Sequence, residues 1–419
     1  MRRRRFIALA AAGLGGSALA QTDAAPRPSD LLGASGEPWF IDWLNAFNAR
    51  AQAAGMARSV LDSALSGLSP DPRVVALDSK QPEFVRPLGA YVQSTVNAQR
   101  IAIGREKRLG VPALETIEQV WGVPREILIA IWAMETRFGA QMGDMDVIRC
   151  LATLAALGRR RSWAETELMA ALKILGDGDA PRERLRGSWA GAMGQTQMLP
   201  SSYLYWAVDG DGDGTRDIWG SAPDALASAA NLLSHQGWRR DEGWAREVIL
   251  PPGFDYGLTE GPSEVPYWWA GKGALRADGL AWTEADTRVN CILLLPAGAA
   301  GPAFLALPNH FVIRKYNNAL AYALAVGLLA DGFAGDGRLT TPWPAETTLS
   351  LDDRLAAQSA LTSLGYNPGS ADGVIGLGTR QALRAWQKAQ GLPADGYLSA
   401  DMIARLRAAV TPAQTLTPS

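Results

Sequence analysis

Glu135 is the side chain best placed for proton chemistry, because it ends an apolar stretch over residues 127–139. Helical spacing would bring Leu128, Trp132 and Glu135 to one face, so the carboxyl group would lie on an apolar surface. Gly139 predicts the end of that helix, which puts the acid near the negative end of the helix dipole. Burial and the dipole both raise the pKa of a carboxyl group. Such a group can act as a general acid, although a Glu paired with a nearby Arg would fit the same pattern.

A second stretch, at residues 187–203, combines small residues with hydrogen-bonding side chains. It reads G-S-W-A-G-A-M-G-Q-T-Q-M-L-P-S-S-Y, and its small residues let a ligand approach the backbone closely. Ser188, Gln197, Ser201 and Tyr203 carry hydroxyl and amide groups that can donate and accept hydrogen bonds. Those groups suit a sugar that carries hydroxyl and N-acetyl groups.

The run D-G-D-G-D-G-T-R-D at 209–217 matches the first half of an EF-hand calcium loop. Position 12 of the loop is Gly220 instead of Glu, and the next acidic residue is Asp224. Hard oxygen ligands select Ca²⁺, which would be structural here, while an Asx-rich turn without an ion is the alternative. No cofactor is expected for catalysis. The expected calcium ligands are Asp209, Asp211, Asp213, Thr215 and Asp224.

The spacing of apolar residues predicts a mainly α-helical protein. Helical patterns cover residues 39–108, the stretch after Pro124, residues 146–175, 223–238 and 318–330. Short apolar runs among Gly and Pro predict a small β-containing insertion, and they lie at residues 248–250, 291–295 and 311–313. Residues 331–350 are rich in Gly, Pro, Thr and Ser and predict a flexible linker. Residues 351–410 contain three more helical patterns separated by Gly, Asp and Pro turns.

Residues 1–20 have the features of a signal peptide, with four Arg, a short apolar run and an A-L-A cleavage site. The Arg pair before Phe6 also resembles a twin-arginine signal, so we expect export to the periplasm. The apolar run is too short for a stable membrane anchor. Residues 21–34 are expected to be disordered, and residues 411–419 form a tail. Loss of the four Arg lowers the formal net charge from −2 to −6, which argues against nucleic-acid binding.

The Cys and His residues limit the possible chemistry. Cys150 and Cys291 each lie in an apolar string, so they could form one disulfide after export or remain buried thiols. His235 and His310 occur without a C-x-x-C or H-E-x-x-H motif, which argues against catalytic Zn²⁺.

The stretches around Glu135 and Gln197 resemble the lytic murein transglycosylases of the B type, over roughly residues 35–330. Those lysozyme-like enzymes cut the glycan strands of peptidoglycan, and the family has a similarly lengthened calcium loop closed by a later Asp. The turns A-D-G-V-I-G and G-L-P-A-D-G within residues 351–410 resemble a three-helix peptidoglycan-binding module, with a generic three-helix bundle as the alternative. The resemblance implies a lysozyme-like helical catalytic domain with a small β-containing insertion, followed by that module. We expect a monomer that binds peptidoglycan glycan strands.

The resemblance implies that Glu135 alone serves as acid and base. The C6 hydroxyl of N-acetylmuramic acid then attacks its own C1 and leaves a 1,6-anhydro end. Ordinary hydrolysis needs a second carboxylate, for which Asp144 and Asp146 are nearest. A muramidase-type hydrolase and a non-catalytic wall-binding protein are the alternatives.

The run R-K-Y-N-N at 314–318 matches the family's Y-N motif, although its Asn could equally cap a helix and its Tyr could belong to the core. The expected substrate-binding residues are Ser188, Gln197, Tyr203, Tyr316, Asn317 and Tyr322.

Overall fold

The computed structural model describes residues 37–78, 86–284, 288–335 and 337–410. The predicted signal peptide, the segment 21–34 and the tail 411–419 lie outside the described residues. Within the described part, no helix has the length and apolar character needed to cross a membrane.

The described chain is mainly α-helical, as predicted. The α-helices that the described residues form before the C-terminal module are α1 Pro38–Ala53, α2 Arg58–Leu65, α3 Pro72–Asp78, α4 Leu88–Thr95, α5 Ala98–Leu109, α6 Leu114–Trp121, α7 Arg125–Thr136, α8 Val147–Leu157, α9 Arg161–Asp177, α10 Pro200–Trp206, α11 Ala222–His235, α12 Pro266–Gly271, α13 Pro308–Tyr316 and α14 Leu320–Ala334. The strands are β1 Met145–Asp146, β2 Arg186–Gly187, β3 Ala245–Ile249, β4 Leu275–Arg276, β5 Ile292–Leu294 and β6 Ala303–Ala306.

Two large apolar clusters build the helical part. The first joins α1, α2, α8 and α9 to the segment around Met193 and Met198. The second surrounds α7 and α14, which pack against each other and against α5 and α11. The side chain of Tyr316 packs against both clusters, which places it at the seam between them.

The β-containing insertion is a four-stranded antiparallel sheet in the order β4-β3-β6-β5. In this sheet Ala306 of β6 pairs with Ala245 of β3 on one side and with Ile292 of β5 on the other. The prediction of a strand at residues 311–313 is wrong, because these residues lie within α13. Pro308 occupies the first turn of that helix, where its missing N–H group costs no hydrogen bond.

Within the described residues neither cysteine forms a disulfide; both are buried, and they belong to different apolar clusters. Cys150 lies in the first cluster, while Cys291 lies under the sheet, where its thiol donates to the carbonyl of Glu264. The structure therefore favours two buried thiols over the disulfide alternative.

The C-terminal module consists of α15 Leu351–Ser363, α16 Leu377–Ala389 and α17 Ala400–Val410. Two buried Gln side chains organise its turns in the same way. Gln358 donates to Asp372 and accepts from the N–H of Gly373, and Gln387 donates to Asp395 and accepts from the N–H of Gly396. The two Asp-Gly turns of the sequence motif are thus each held by one Gln.

The segment predicted to be a flexible linker, 331–350, makes specific contacts with the rest of the protein. Helix α14 continues to Ala334, and Trp343 packs against the second cluster. Glu346 accepts a hydrogen bond from the N–H of Gly89 at 2.8 Å and another from the hydroxyl of Tyr397 in the module. This difference arises because apolar and acidic residues within the segment find partners that composition alone does not reveal.

An ion cluster fixes the module against the insertion. The carboxylate of Glu260 binds the guanidinium groups of Arg380 and Arg384, both of which lie on α16. These two guanidinium groups hold the pKa of Glu260 below its ordinary value, although burial acts in the opposite direction. The module is therefore docked on the β-containing insertion.

We expect Gly327→Ala to destabilise the fold, because its Cβ would lie 2.2 Å from the ring of Trp244. Overpacking of this kind costs about 1–3 kcal/mol of unfolding free energy. The matched control is Gly271→Ala at the end of α12, where no atom lies within 4 Å of the added Cβ. Chemical denaturation of both variants measures the difference, and equal stability of the two would contradict this account of α14.

Candidate active site

Helix α7 presents Glu135 from its last turn. Its residues Ile127 to Ala133 are all buried, because the helix is apolar on every side and lies within the second cluster. Glu135 itself is partly exposed, so its carboxyl group reaches an opening at the end of a buried helix. The helix ends at Thr136, three residues before the predicted stop at Gly139.

The carboxyl group of Glu135 has one hydrogen-bond partner among the described residues. The hydroxyl of Tyr322, on α14, donates to its Oε1 atom at 2.6 Å. Burial raises the pKa of Glu135 from 4.5 to about 7, and the hydrogen bond from Tyr322 opposes part of that rise. The second carboxyl oxygen remains available, so this group can hold a proton near neutral pH and give it to a bound molecule.

Thr136 connects the end of α7 to the small-residue segment. Its hydroxyl donates to the carbonyl of Gln195 at 2.6 Å and accepts from the N–H of Gly139 at 2.9 Å. Gln195 in turn donates from its side chain to the carbonyl of Trp219 at 3.2 Å. These bonds fix the segment relative to Glu135.

The small-residue segment forms a tight hairpin. Met193 and Met198 exchange two backbone hydrogen bonds, both of 2.9 Å, and Gln197 lies inside this turn with φ of 52°. The amide nitrogen of Gln197 donates to the carbonyls of Met142 and Gly194, each at 3.0 Å. Its amide oxygen is therefore the group left to accept from a ligand.

Ser188 precedes the hairpin and is partly exposed. Its Oγ atom accepts from the N–H of Ala192 at 3.1 Å, which leaves its own hydrogen free to donate.

The Y-N motif lies where α13 ends. The hydroxyl of Tyr316 donates to the carbonyl of Thr196, within the hairpin. Burial raises the pKa of Tyr316, and the charge of Glu135 adds to the rise, which indicates that the two groups are close. Asn317 is exposed, and its side chain accepts from the N–H of Ala319 at 3.2 Å. It does not cap α14, since Ala319 occupies that position.

Two of the predicted substrate contacts need correction. Tyr203 is fully buried in the first cluster, and its hydroxyl donates to the carbonyl of Arg216 at 3.1 Å. The turn of α10 directs position 203 into the core, so Tyr203 cannot contact a ligand. Tyr322 is only 5% exposed and its hydroxyl is bound to Glu135, so it positions the acid instead of facing the glycan.

Asp146, one of the two alternative carboxylates, serves a structural role. Asp146 caps α8 through the N–H of Arg149 at 3.0 Å and pairs with Arg182 at 3.0 Å. Burial and Tyr322 account for the shifted pKa of Glu135, and no second carboxylate of the described residues contributes to it.

The acidic loop brings three of its predicted ligands together. Carboxylate oxygens of Asp209, Asp211 and Asp213 lie within 4.8 Å of one another on the surface. Asp224 instead is buried, and it accepts from the N–H groups of Gly210 at 2.8 Å and Asp217 at 2.7 Å. The sequence predicted Asp224 as a metal ligand. In the structure its carboxylate instead closes the loop by accepting hydrogen bonds from these backbone N–H groups.

The loop also contains Asx turns of the kind considered as an alternative. Asp213 accepts from the N–H of Thr215 at 2.8 Å, and Asp209 accepts from the N–H of Gly214 at 2.8 Å. The backbone bonds that Asp209 accepts, above all the one from Gly214, lower its pKa and keep its carboxylate ionised. The oxygen-rich donor set and the convergence of three carboxylates fit a hard divalent cation.

Sequence reasoning missed the contact between Thr136 and Gln195. Thr136 lies in the stretch around Glu135 and Gln195 in the stretch around Gln197, but neither is among the predicted site residues. They are 59 positions apart, so no local pattern links them, and only the packing of the two clusters brings them together.

Comparison with known proteins places this geometry in context. Residues 39–331 match the family described as Transglycosylase SLT domain, and residues 350–406 match the Putative peptidoglycan binding domain. The membrane-bound lytic murein transglycosylase B of Escherichia coli (strain K12) is 35% identical over 225 residues. That match covers 53% of this chain and 60% of the length of the relative.

Solved structures extend the likeness. SltB3 from Pseudomonas aeruginosa, in complex with NAG-anhNAM-pentapeptide, is 46% identical with a TM-score of 0.84, covering 88% of this chain and 99% of that chain. The Escherichia coli lytic transglycosylase SLT35, in complex with calcium, is 28% identical with a TM-score of 0.59, covering 71% of this chain and 93% of that chain. Glu135 and the hairpin that faces it lie within the matched domain, and the chain belongs to the lytic murein transglycosylase B family.

Proposed function

We propose that this protein is a lytic murein transglycosylase. It cleaves the β-1,4 bond between N-acetylmuramic acid and N-acetylglucosamine and leaves a 1,6-anhydromuramic acid end. The observation that carries the proposal is a single carboxyl group, Glu135, held by Tyr322 with a pKa of about 7 at the end of a buried helix.

The reaction follows from that one group. Protonated Glu135 gives its proton to the glycosidic oxygen, and the bond from this oxygen to C1 breaks. The C6 hydroxyl oxygen of the same muramic acid then bonds to C1, and the carboxylate of Glu135 takes the hydroxyl proton. The N-acetyl group of the substrate can assist at C1 before this attack. The carboxyl group ends protonated as it began, and no water is consumed.

The arrangement around Glu135 favours transglycosylation over hydrolysis. A hydrolase needs a second carboxylate to act as nucleophile or to activate water. Asp146 is occupied with Arg182 and the start of α8, and Asp144 is exposed. Neither carboxylate is among the groups that shift the pKa of Glu135. An intramolecular attack requires only the acid already present.

The glycan contacts are part of the proposal. Ser188, Gln197 and Asn317 are partly or fully exposed and have hydrogen-bonding capacity left over for sugar hydroxyl and N-acetyl groups. Tyr316 holds the hairpin against α13 at the seam of the two clusters. The module at residues 351–410 adds a second wall contact. We further propose that residues 1–20 direct export and that the protein acts in the periplasm as a monomer.

We also propose that the loop around Asp209, Asp211 and Asp213 binds a structural Ca²⁺. The convergence of the three carboxylates supports it, and a relative is solved in complex with calcium. The carbonyl of Thr215 would add a fourth oxygen. Asp224 would stabilise the loop by accepting hydrogen bonds from its backbone N–H groups. The ion would neutralise three adjacent negative charges and join α10 to α11.

Glu135→Gln should abolish the release of 1,6-anhydro products from purified peptidoglycan. Loss of a general acid lowers the rate by about 10²–10⁴-fold. Mass spectrometry of the digest measures the effect, and it also separates the candidate reactions, because a hydrolase would leave reducing ends.

The same variant should fold at least as well as the parent above pH 7. The pKa of Glu135 is raised from 4.5 to about 7, so ionisation removes stability as the pH rises through that range. Gln avoids this cost. Thermal unfolding at pH 8 serves as the control, and a 1,6-anhydro product from a well-folded variant would refute the assigned acid.

Tyr322→Phe should shift the alkaline limb of the activity profile to higher pH. The hydroxyl of Tyr322 lowers the pKa of Glu135, so its removal raises that pKa and extends the pH range over which the acid stays protonated. Rates measured from pH 5 to about 9 would show this displacement. Tyr205→Phe is the matched control, since its side chain is 75% exposed. An unmoved limb would argue against the contact with Glu135.

The unfolding temperature measured in excess Ca²⁺ should exceed the one measured in the presence of a chelator by on the order of 5 °C. Asp211→Asn should reduce this rise, because it removes one of three convergent carboxylates. The control Asp62→Asn, on the surface of α2, should respond as the parent does. Equal responses of all three proteins in differential scanning calorimetry would rule out an ion in this loop.

A further inference from the structure

A cavity that the proposed reaction does not use lies between the β-containing insertion and the end of α14. Strand β3 and the turn after β4 form one side, α14 forms another, and residues 337–340 complete the wall. Its volume is about 310 Å³, which is sufficient for a small molecule. Asp331 of this cavity follows Tyr322 on the same helix at a distance of roughly 13 Å along the axis. The cavity is therefore separate from Glu135.

Hydrogen bonds between the strands and the segment after α14 fix the walls of this cavity. The carboxylate of Glu247, on β3, accepts from the backbone N–H groups of Thr340 at 2.9 Å and Thr341 at 2.8 Å. The hydroxyl of Thr340 donates to the carbonyl of Ala277 at 3.2 Å. These contacts hold the segment over the sheet, so the cavity is already formed before a ligand enters.

One wall carries a carboxylate without a cationic partner. The Nε1–H group of Trp244 is shared between the two carboxylate oxygens of Asp331, at 3.0 Å and 3.2 Å. Burial raises the pKa of Asp331 to about 6, while this hydrogen bond and the charge of Arg246 oppose the rise. The group is therefore ionised at neutral pH. Solvent reaches it through the cavity, and among the described residues no Arg or Lys forms an ion pair with it.

Guanidinium groups line the same cavity. The Nη1 group of Arg246, on β3, donates to the adjacent carbonyl of Ala245 at 3.2 Å. Its Nη2 group makes no hydrogen bond with the described part of the chain, and its Nε atom is buried without a partner. Arg338 also lines the cavity and forms no ion pair with a described residue. Arg246 and Asp331 thus carry opposite charges in one cavity without contacting each other directly.

Apolar side chains supply the remaining surface of the cavity, and they are Trp244, Phe304, Leu328 and Leu339. The rings of Trp244 and Phe304 lie with their centroids 6.0 Å apart. An apolar group that enters the cavity gains free energy because it leaves water. The cavity therefore offers a negative charge, a positive charge and an apolar surface to one ligand.

We propose that this cavity binds a free α-amino acid with an apolar side chain. The ammonium group of the ligand pairs with Asp331, and its carboxylate pairs with the guanidinium group of Arg246, with Arg338 as a second donor. Guanidinium groups bind carboxylates with two parallel hydrogen bonds. A simple cation or anion would compensate one of the two charges, whereas a zwitterion compensates both. The bound molecule joins β3 to α14, and the site is independent of the proposed transglycosylase reaction.

Three related probes test this recognition by isothermal titration calorimetry on the full chain. Leucine carries both charges, leucinamide lacks the carboxylate, and N-acetylleucine lacks the ammonium group. Leucine should bind with a stoichiometry of one, and each of the other two should bind about tenfold more weakly, as the loss of one charge-assisted contact predicts. Equal affinities of the three probes, or the absence of saturable binding of leucine, would overturn the proposal.

Two variants assign the charges within the cavity. Asp331→Asn removes the negative charge but keeps an oxygen that accepts from Trp244, so it should weaken leucine and leucinamide about tenfold and leave N-acetylleucine unchanged. Arg246→Gln should weaken leucine and N-acetylleucine and leave leucinamide unchanged. Asp62→Asn and Arg58→Gln are the matched controls, because these exposed residues of α2 do not line the cavity.

The pattern of losses separates charge recognition from damage to the fold. If a variant weakened all three probes alike, the cavity would be disturbed as a whole and the assigned contacts would be refuted. Glu135→Gln should bind leucine as the parent does. A loss of leucine binding in that variant would place the ligand at the catalytic carboxyl group and would contradict a separate site, whether or not the parent releases 1,6-anhydro products.

Discussion

The burial of one carboxyl group at the end of α7 is the constraint on which the site depends. A carboxyl group that stays protonated near neutral pH requires surroundings that disfavour its ionised form. Helix α7 supplies such surroundings because it is apolar on all sides. Tyr322 contributes a hydrogen bond from α14 that limits the rise of the pKa. The pairing of these two helices therefore sets both the position and the acidity of Glu135.

The rest of the site is built where two apolar clusters meet. Thr136 and Tyr316 each donate to a backbone carbonyl of the hairpin, one from the end of α7 and one from α13. The hairpin is thereby fixed by backbone contacts, which leaves Ser188 and the amide oxygen of Gln197 for a ligand. A site held in this way can position a substrate through rigid elements, which precise chemistry requires.

Specific contacts also fix the insertion and the module relative to the helical part. Glu260 joins the insertion to α16, and Glu346 joins the segment after α14 both to α4 and to the module. In the proposed function, a docked module would keep its glycan contact at a fixed distance from Glu135. Wall binding and cleavage would then be coupled by geometry, whereas a flexible tether would couple them only through local concentration.

The sequence alone determined the features that depend on local pattern: the mainly helical class, the acid on an apolar face, the acidic loop and the Asp-Gly turns of the module. Helical spacing and turn chemistry act between neighbours, so they can be read from the chain. Tertiary structure decided the burial of Tyr203, the bond from Tyr322 to Glu135, the separation of Cys150 from Cys291 in different clusters, and the docked module. These outcomes depend on residues far apart in sequence, and only the packing of separate helices determines which of them meet.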